Sequence, residues 1–449
     1  MTYPTDISPT DISRRRLLGL SLGLGAAAAL GLAGCGGSDQ PTASTGNGNG
    51  GKDYTGPKVQ LNLWNGFTGG DGDIFKKLVD QFNGEHANIA ISVATYKWED
   101  YYAKLPGAVS SGNGPDVAVM HIDMLATFAA RRVIQPIDDV ASALGLSEAD
   151  FATTVWKGGL YQGKRYGIPL DMHPVGLYYN KALLQKAGLD PNKPPQNRAD
   201  LEAALAELKK AGIQGFWVSP FQFTGGMTAY SLVYQFGGAL YNADATKATF
   251  NSDQAVEAVT WLTGLISAGH SPTNVGQDAD YLALKSGKNA FNVNGIWQVN
   301  DLKKSPDVQW GVAPLPQIGT KKAVWANSHN FTIVQQRNVE QNKVSGAKVF
   351  INWLSQHSLD WAAGGQVPAR NSVRDDPKFK DLAEMNTLAA ELPDAAFPPA
   401  APGIGDVTKL FYDAVNEAVL GKKQPKQALD DGVAKADKLL EDNRKKYGS

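Results

Sequence analysis

From residue 58 onward, short apolar runs alternate with longer stretches whose apolar residues recur every three or four positions. "KVQLNLW" (58–64) alternates polar and apolar residues and predicts a strand, as do "IAISVATY" (89–96) and "PDVAVMH" (115–121). Helical spacing occupies 73–82 and 98–109 between them, and 124–131 after them. Strands alternating with helices predict a largely parallel sheet covered on both faces. A second set of elements follows "YGIPLDMHPVGLYYN" (166–180). It comprises helices at 201–210 and 254–268, strands at 215–219, 289–295, 308–316 and 328–334, and four helical segments to the C-terminus. No internal repeat is visible.

A chain of 449 residues exceeds what one core holds, about 250–300 residues, so two or more domains are expected. The formal net charge of −1 excludes a global field that would favour nucleic acid or an anionic membrane surface. The N-terminus departs from this average. In "SRRRLLGLSLGLGAAAALGLAGC" (13–35) three arginines precede an uncharged run that ends in small residues, the pattern of an export signal. Its length approaches a membrane span, but its glycines weaken a helix. The chain's one cysteine, Cys35, closes this run and is followed by a Gly/Ser/Thr/Asn-rich tract (36–56) with the composition of a flexible tether. Ser-Arg-Arg-x-Leu-Leu resembles a twin-arginine signal, and Leu32-Ala33-Gly34-Cys35 resembles a bacterial lipobox. That resemblance implies cleavage before Cys35 and lipid on its sulfur.

In open α/β sheets ligands sit beyond the carboxyl ends of the strands. That rule selects 65–71, 96–98, 121–123, 171–174, 294–297 and 326–329, which are rich in Asp, Asn, His, Thr and Trp. The mixture suits a neutral polyhydroxylated ligand: carboxylates and amides bond vicinal hydroxyls, and aromatic rings cover the C–H faces of a sugar. His121, His173 and His329 with Asp123 could in principle hold zinc, but they lack short ligand spacing, so hydroxyl bonding is expected and no metal or cofactor. "NGFTGGDGD" lacks the Gly-Lys-Ser/Thr ending of a phosphate loop and misses the calcium-loop register. A glycosidase would need two carboxylates, for which Asp71 and Asp123 are the candidates.

Six stretches together resemble the solute-binding proteins of carbohydrate ABC importers, the maltose-binding type. They are "LNLWNGFTGGDGDIFKKLVDQFN", "SGNGPDVAVMHIDML", "YGIPLDMHPVGLYYNKALLQKAGLD", "NAFNVNGIWQVND", "WANSHNFTIV" and "GGQVPARNSV", in the family's order. The resemblance implies two α/β lobes, each a mostly parallel sheet flanked by helices, with the ligand cleft at the hinge. The lobes would be 57–174 with 322–374, and 175–321 with 375–449, after a signal (1–34) and a lipidated tether (35–56). It implies a monomer outside the bacterial plasma membrane that closes on a sugar, a di- or oligosaccharide, and docks on a permease without chemistry of its own. A glycerophosphodiester is the alternative ligand. The implied contacts are Asn65, Thr68 and Asp71 after the first strand, His121 and Asp123 after the third, and His173 before "YYN". Trp297 in "NGIW" is the implied stacking ring. Asn327, Ser328 and His329 stand where relatives carry a Gly-rich loop, and Trp98 and Phe223 are aromatic candidates by loop position.

Overall fold

The strand β1 (Val59–Asn65) buries Leu61 and Leu63 completely while Gln60 and Asn62 face water, as its alternation requires. It pairs in parallel with β2 (Ile89–Thr95) and with β3 (Val117–His121). Helix α1 (Gly72–Glu85) crosses from β1 to β2 and buries Phe75, Leu78, Val79 and Phe82, one stripe at helical spacing. Helices α2 (Trp98–Ser111) and α3 (Ile122–Ala130) follow β2 and β3. These are the computed structural model's first elements; it describes residues 53–447, all within one compact unit. The expected signal, Cys35 and most of the tether lie outside the described residues.

The chain then runs through β4 (Ile168–Pro169) into β5 (Asp171–Asn180), ten residues that are all buried. Four more strands follow in order: β6 (Phe291–Gly295), β7 (Trp310–Ala313), β8 (Val324–Asn327) and β9 (His329–Ile333). Two short ones, β10 (Val367–Pro368) and β11 (Ala395–Ala396), complete the set used here. One sheet has the order β2-β1-β3-β9-β4, and the other contains β10-β5-β8-β11 with β6 and β7 also paired to β5. The protein is therefore a two-lobed α/β fold built on two sheets. The chain passes between sheets at Leu170, between β4 and β5, at Ser328, between β8 and β9, and a third time between β9 and β10.

Pairing is less parallel than expected. In the first sheet β9 runs antiparallel to both β3 and β4; in the second, only β8–β11 is parallel. In the second sheet β5 collects antiparallel partners along its whole length, and in the first β9 enters from the other sheet and runs against its neighbours. Separate apolar cores serve the two sheets. Leu63, Phe82, Val119, Phe331 and Phe350 lie under the first; Val175, Leu205, Leu262 and Phe411 pack against the second.

Two expectations fail. The strand expected at 215–219 is a single bridge from Phe216 to Phe291. The next two amides turn to side chains instead of a strand: Trp217 N–H donates to Asn289 (3.2 Å) and Val218 N–H to Ser271 (2.8 Å). After β9 there are seven α-helices among the described residues rather than four segments. Three are long, Gln341–Gln356, Ile404–Val419 and Pro425–Tyr447; the other four have four to seven residues each.

Candidate functional site

Strand register brings distant residues together. His329, first in β9, lies opposite His121, last in β3. Asn327, last in β8, lies opposite His173 in β5. The three histidines thus meet where the two sheets join. The His173 and His329 rings stack with centroids 4.1 Å apart, and His121 lies 4.9 Å from His329.

Asp171 holds two of these rings. Its carboxylate accepts from His173 Nδ1 (3.1 Å), His329 Nδ1 (2.8 Å), the His329 backbone N–H (3.0 Å) and Trp361 Nε1 (2.7 Å). Burial pushes the Asp171 carboxyl up, but the histidine charges and hydrogen bonds outweigh it, so Asp171 sits well below the usual carboxylate range. Burial and the neighbouring His329 lower His173 to about 4, and burial above all lowers His121. Asp171 is an anion and these two imidazoles are neutral at pH 7. His121 Nδ1 meets the Tyr102 hydroxyl at 2.8 Å, and that hydroxyl also accepts the His121 backbone N–H (2.9 Å).

Asp71 is different. Only Oδ2 has a side-chain donor, Gln366 Nε2 at 3.1 Å; Oδ1 is buried without a partner. Burial pushes its pKa up to about 6, against the pull of His329. Asp123, raised by burial, accepts from Asn327 Nδ2 at 3.1 Å.

Two indoles flank this polar centre, one from each lobe. Trp98, half-buried, stacks on His329 (5.4 Å, 14° between planes) and contacts His121. Trp297, also half-buried, stands 6.0 Å from His173, with Phe223 and Trp325 at its edges. Each indole lies over a glycine. A Cβ on Gly66 would meet the Trp98 ring at 2.1 Å, and one on Gly295 the Trp297 ring at 2.0 Å, so only glycine admits these ring positions.

The expected contacts therefore divide. Trp98, His121, His173, His329, Trp297 and Phe223 form one continuous group of rings, with Asp71 and Asp123 beside it. Asn65, Asn327 and Ser328 are buried and much of their hydrogen bonding serves the fold. Asn65 Oδ1 accepts Phe67 N–H (2.9 Å), and Asn327 Oδ1 accepts the N–H groups of Ile122 (3.1 Å) and Ser328 (2.8 Å). Ser328 Oγ accepts from Asn330 Nδ2 at 3.3 Å. Thr68 is exposed on its loop. Reading the sequence did not single out Asp171, Trp361, Gln366 or Tyr102. Only Asp171 carried a signal, since alternation along a strand puts it on the same face as His173. A small surface hollow lined by Asp116, Gln135 and Lys343 lies at the other end of β3 and β9, the amino end of β3, away from all these groups.

Residues 77–387 match the family described as bacterial extracellular solute-binding protein. The chain belongs to that family. A Brucella abortus binding protein is 26% identical to this solute-binding protein over 381 residues, spanning 82% of this chain and 90% of its own length. The sn-glycerol-3-phosphate-binding periplasmic protein UgpB of Shigella dysenteriae is 25% identical over 406 residues, 85% and 92% of the two lengths. Among solved structures, the GacH receptor of Streptomyces glaucescens, known unliganded and with acarbose, superposes with a TM-score of 0.77 at 22% identity. That match covers 86% of this chain and all of the receptor. A mannotriose-bound binding protein gives a TM-score of 0.70 at 25% identity over 84% and 100%. No helix among the described residues is long and apolar enough to cross a membrane.

Proposed function

We propose that this protein captures a carbohydrate, a di- or oligosaccharide, between its lobes and delivers it to an ABC importer permease without altering it. The observation that carries the reading is the pairing of Trp98 and Trp297, one indole from each lobe, around carboxylates with no lysine or arginine partner. The charges acting on Asp71 and Asp171 are those of His329, His173 and each other. Such a site favours neutral hydroxyls between aromatic faces and disfavours a phosphate. Solved neighbours were crystallised with acarbose, maltose and mannotriose, which supports the same ligand class.

The lobes would be 57–174 with 322–374 and 175–321 with 375–449, the passages at Leu170 and Ser328 acting as hinge. Ion pairs Arg131–Asp406 (3.4 Å) and Lys304–Asp73 (3.1 Å) join helices of opposite lobes, and Thr127 Oγ1 accepts the Gly403 N–H (2.8 Å). In this reading such contacts would hold the lobes together, and a ligand touching both lobes would favour the same arrangement. Exported through its twin-arginine signal and held by lipid on Cys35, the chain would work as a monomer on the outer face of the plasma membrane. Asp71 and Asp123 serve recognition here, and no glycoside cleavage follows.

A thermal-shift panel of mono-, di- and oligosaccharides, glycerol 3-phosphate and glycerophosphodiesters tests this. Binding at a hundredfold excess over Kd adds about 2.7 kcal/mol of stability. A shift with one sugar, recovered unchanged, supports the reading. Relatives that bind sn-glycerol 3-phosphate make the second ligand class worth including, and a shift with that class alone would replace the sugar.

A further inference from the structure

Three imidazoles from three strand ends converge in the buried centre, and their hydrogen bonding leaves their outer nitrogens without a purpose in the fold. We propose that His121, His173 and His329 form a binding site for a divalent cation of the zinc class, with Asp171 and Tyr102 holding the rings in place. The inference does not depend on which organic ligand the cleft accepts.

Each ring has one nitrogen free of the fold's hydrogen bonding. Both Asp171 oxygens already accept from obligate donors, the His329 backbone N–H and Trp361 Nε1, so the Nδ1 atoms of His173 and His329 that face it at 3.1 and 2.8 Å are donors that carry hydrogens. Their Nε2 atoms are then lone pairs. His173 Nε2 is fully buried with no hydrogen-bond partner. A buried acceptor left so costs about 1–3 kcal/mol. His121 uses Nδ1 on Tyr102, which leaves Nε2 as its available atom too.

Geometry supplies the second part. A nitrogen of each histidine lies within 4.8 Å of the other two. Zinc–imidazole bonds of about 2.0–2.1 Å at tetrahedral angles place donors about 3.3 Å apart, so the widest pair needs to close by about 1.5 Å.

The surroundings supply the third. Metal-bound histidines characteristically donate their other N–H to a carboxylate or comparable acceptor, which fixes the tautomer and ring orientation. Asp171 does this for two rings at once, itself fixed by Trp361. Tyr102 can accept from the third. Asp171 and Asp71 are buried, their side-chain hydrogen-bond partners include no lysine or arginine, and a dication on the same imidazoles supplies positive charge next to them. Three nitrogen donors suit zinc, cobalt, nickel or copper rather than magnesium or calcium, and leave a fourth position for water or a ligand oxygen.

The test is titration of the full-length, chelator-stripped protein with zinc chloride by calorimetry and with cobalt chloride by visible absorption. One equivalent of zinc should bind, magnesium should give no heat, and cobalt should develop the intense d–d bands of a four-coordinate ion. His121→Phe replaces a half-exposed ring, so folding should survive while zinc binding and the cobalt bands vanish. Tyr102→Phe, which removes only the outer acceptor, should weaken zinc by roughly 10–100-fold. No zinc heat with no cobalt bands would overturn the site. So would zinc affinity and cobalt spectra unchanged in both variants, because the ion would then be held elsewhere. If His121→Phe misfolds, the change in zinc affinity and cobalt bands in Tyr102→Phe carries the test alone.

Discussion

Asp171 and Asp71 are both buried near His329, and neither has a lysine or arginine beside it, yet they are opposite kinds of group. Asp171 accepts from four donors and stays ionised far below its ordinary range. Asp71 has one side-chain donor, an empty oxygen and a pKa near 6. Burial is nearly equal, at 0% and 5% exposure, so the histidine charge beside Asp171, His329 first, and its larger number of donors make the difference. A carboxylate whose bonding is complete is part of the frame. One that is half-bonded keeps capacity for a ligand.

The largest effect should come from breaking the complete one. Asp171→Asn turns an acceptor for four donors into a half-donor and should cost about 3–5 kcal/mol in urea unfolding, as losing one partner of a buried charge cluster does. Asp71→Asn should do the reverse. It should weaken sugar binding by about 1.5–3 kcal/mol in calorimetry at pH 7 while leaving the fold intact. Its sign with pH is fixed: native Asp71 holds its proton up to about 6 against 3.8 ordinarily, so the unaltered protein loses stability as pH rises through that window. The variant should lack that loss.

Glu391 extends the comparison to a site without ligand. Its Oε1 accepts the Leu315 N–H at 2.7 Å, its Oε2 is buried and unpartnered, and burial raises it to about 8. Because the folded state binds this proton more tightly, its contribution is full below about 4.5 and is lost as pH rises to about 8. Glu391→Gln should therefore be more stable by about 1–2 kcal/mol at pH 8 and equal at pH 4, read from thermal unfolding. Smallest of all, Trp297→Leu keeps apolar surface but loses the ring face, and should reduce sugar affinity by about 0.5–1.5 kcal/mol.

The first lobe was legible because its elements carry their own period. β1 alternates, α1 shows a stripe, and both appear within a few residues of where the pattern puts them. The second sheet was not. Every residue of β5 is buried, which erases periodicity, and β8, β10 and β11 have two to four residues each. The candidate site divides in the same way. His121, His173 and His329 were visible as strand-end histidines, but their meeting depends on the antiparallel register of β9 with β3, which the sequence does not display. Trp361 and Gln366 reach Asp171 and Asp71 from 190 and 295 residues away, and nothing local marks them.

The most direct test of the sugar reading is a fluorescence titration of the full chain with the sugar that the thermal panel selects, compared with Trp297→Leu. Trp98 and Trp297 flank the proposed ligand, so the account predicts a saturable change in tryptophan emission at one equivalent, diminished in the variant, with the sugar recovered intact. Binding that leaves emission unchanged in both proteins, or sugar returned as cleaved products, would contradict it.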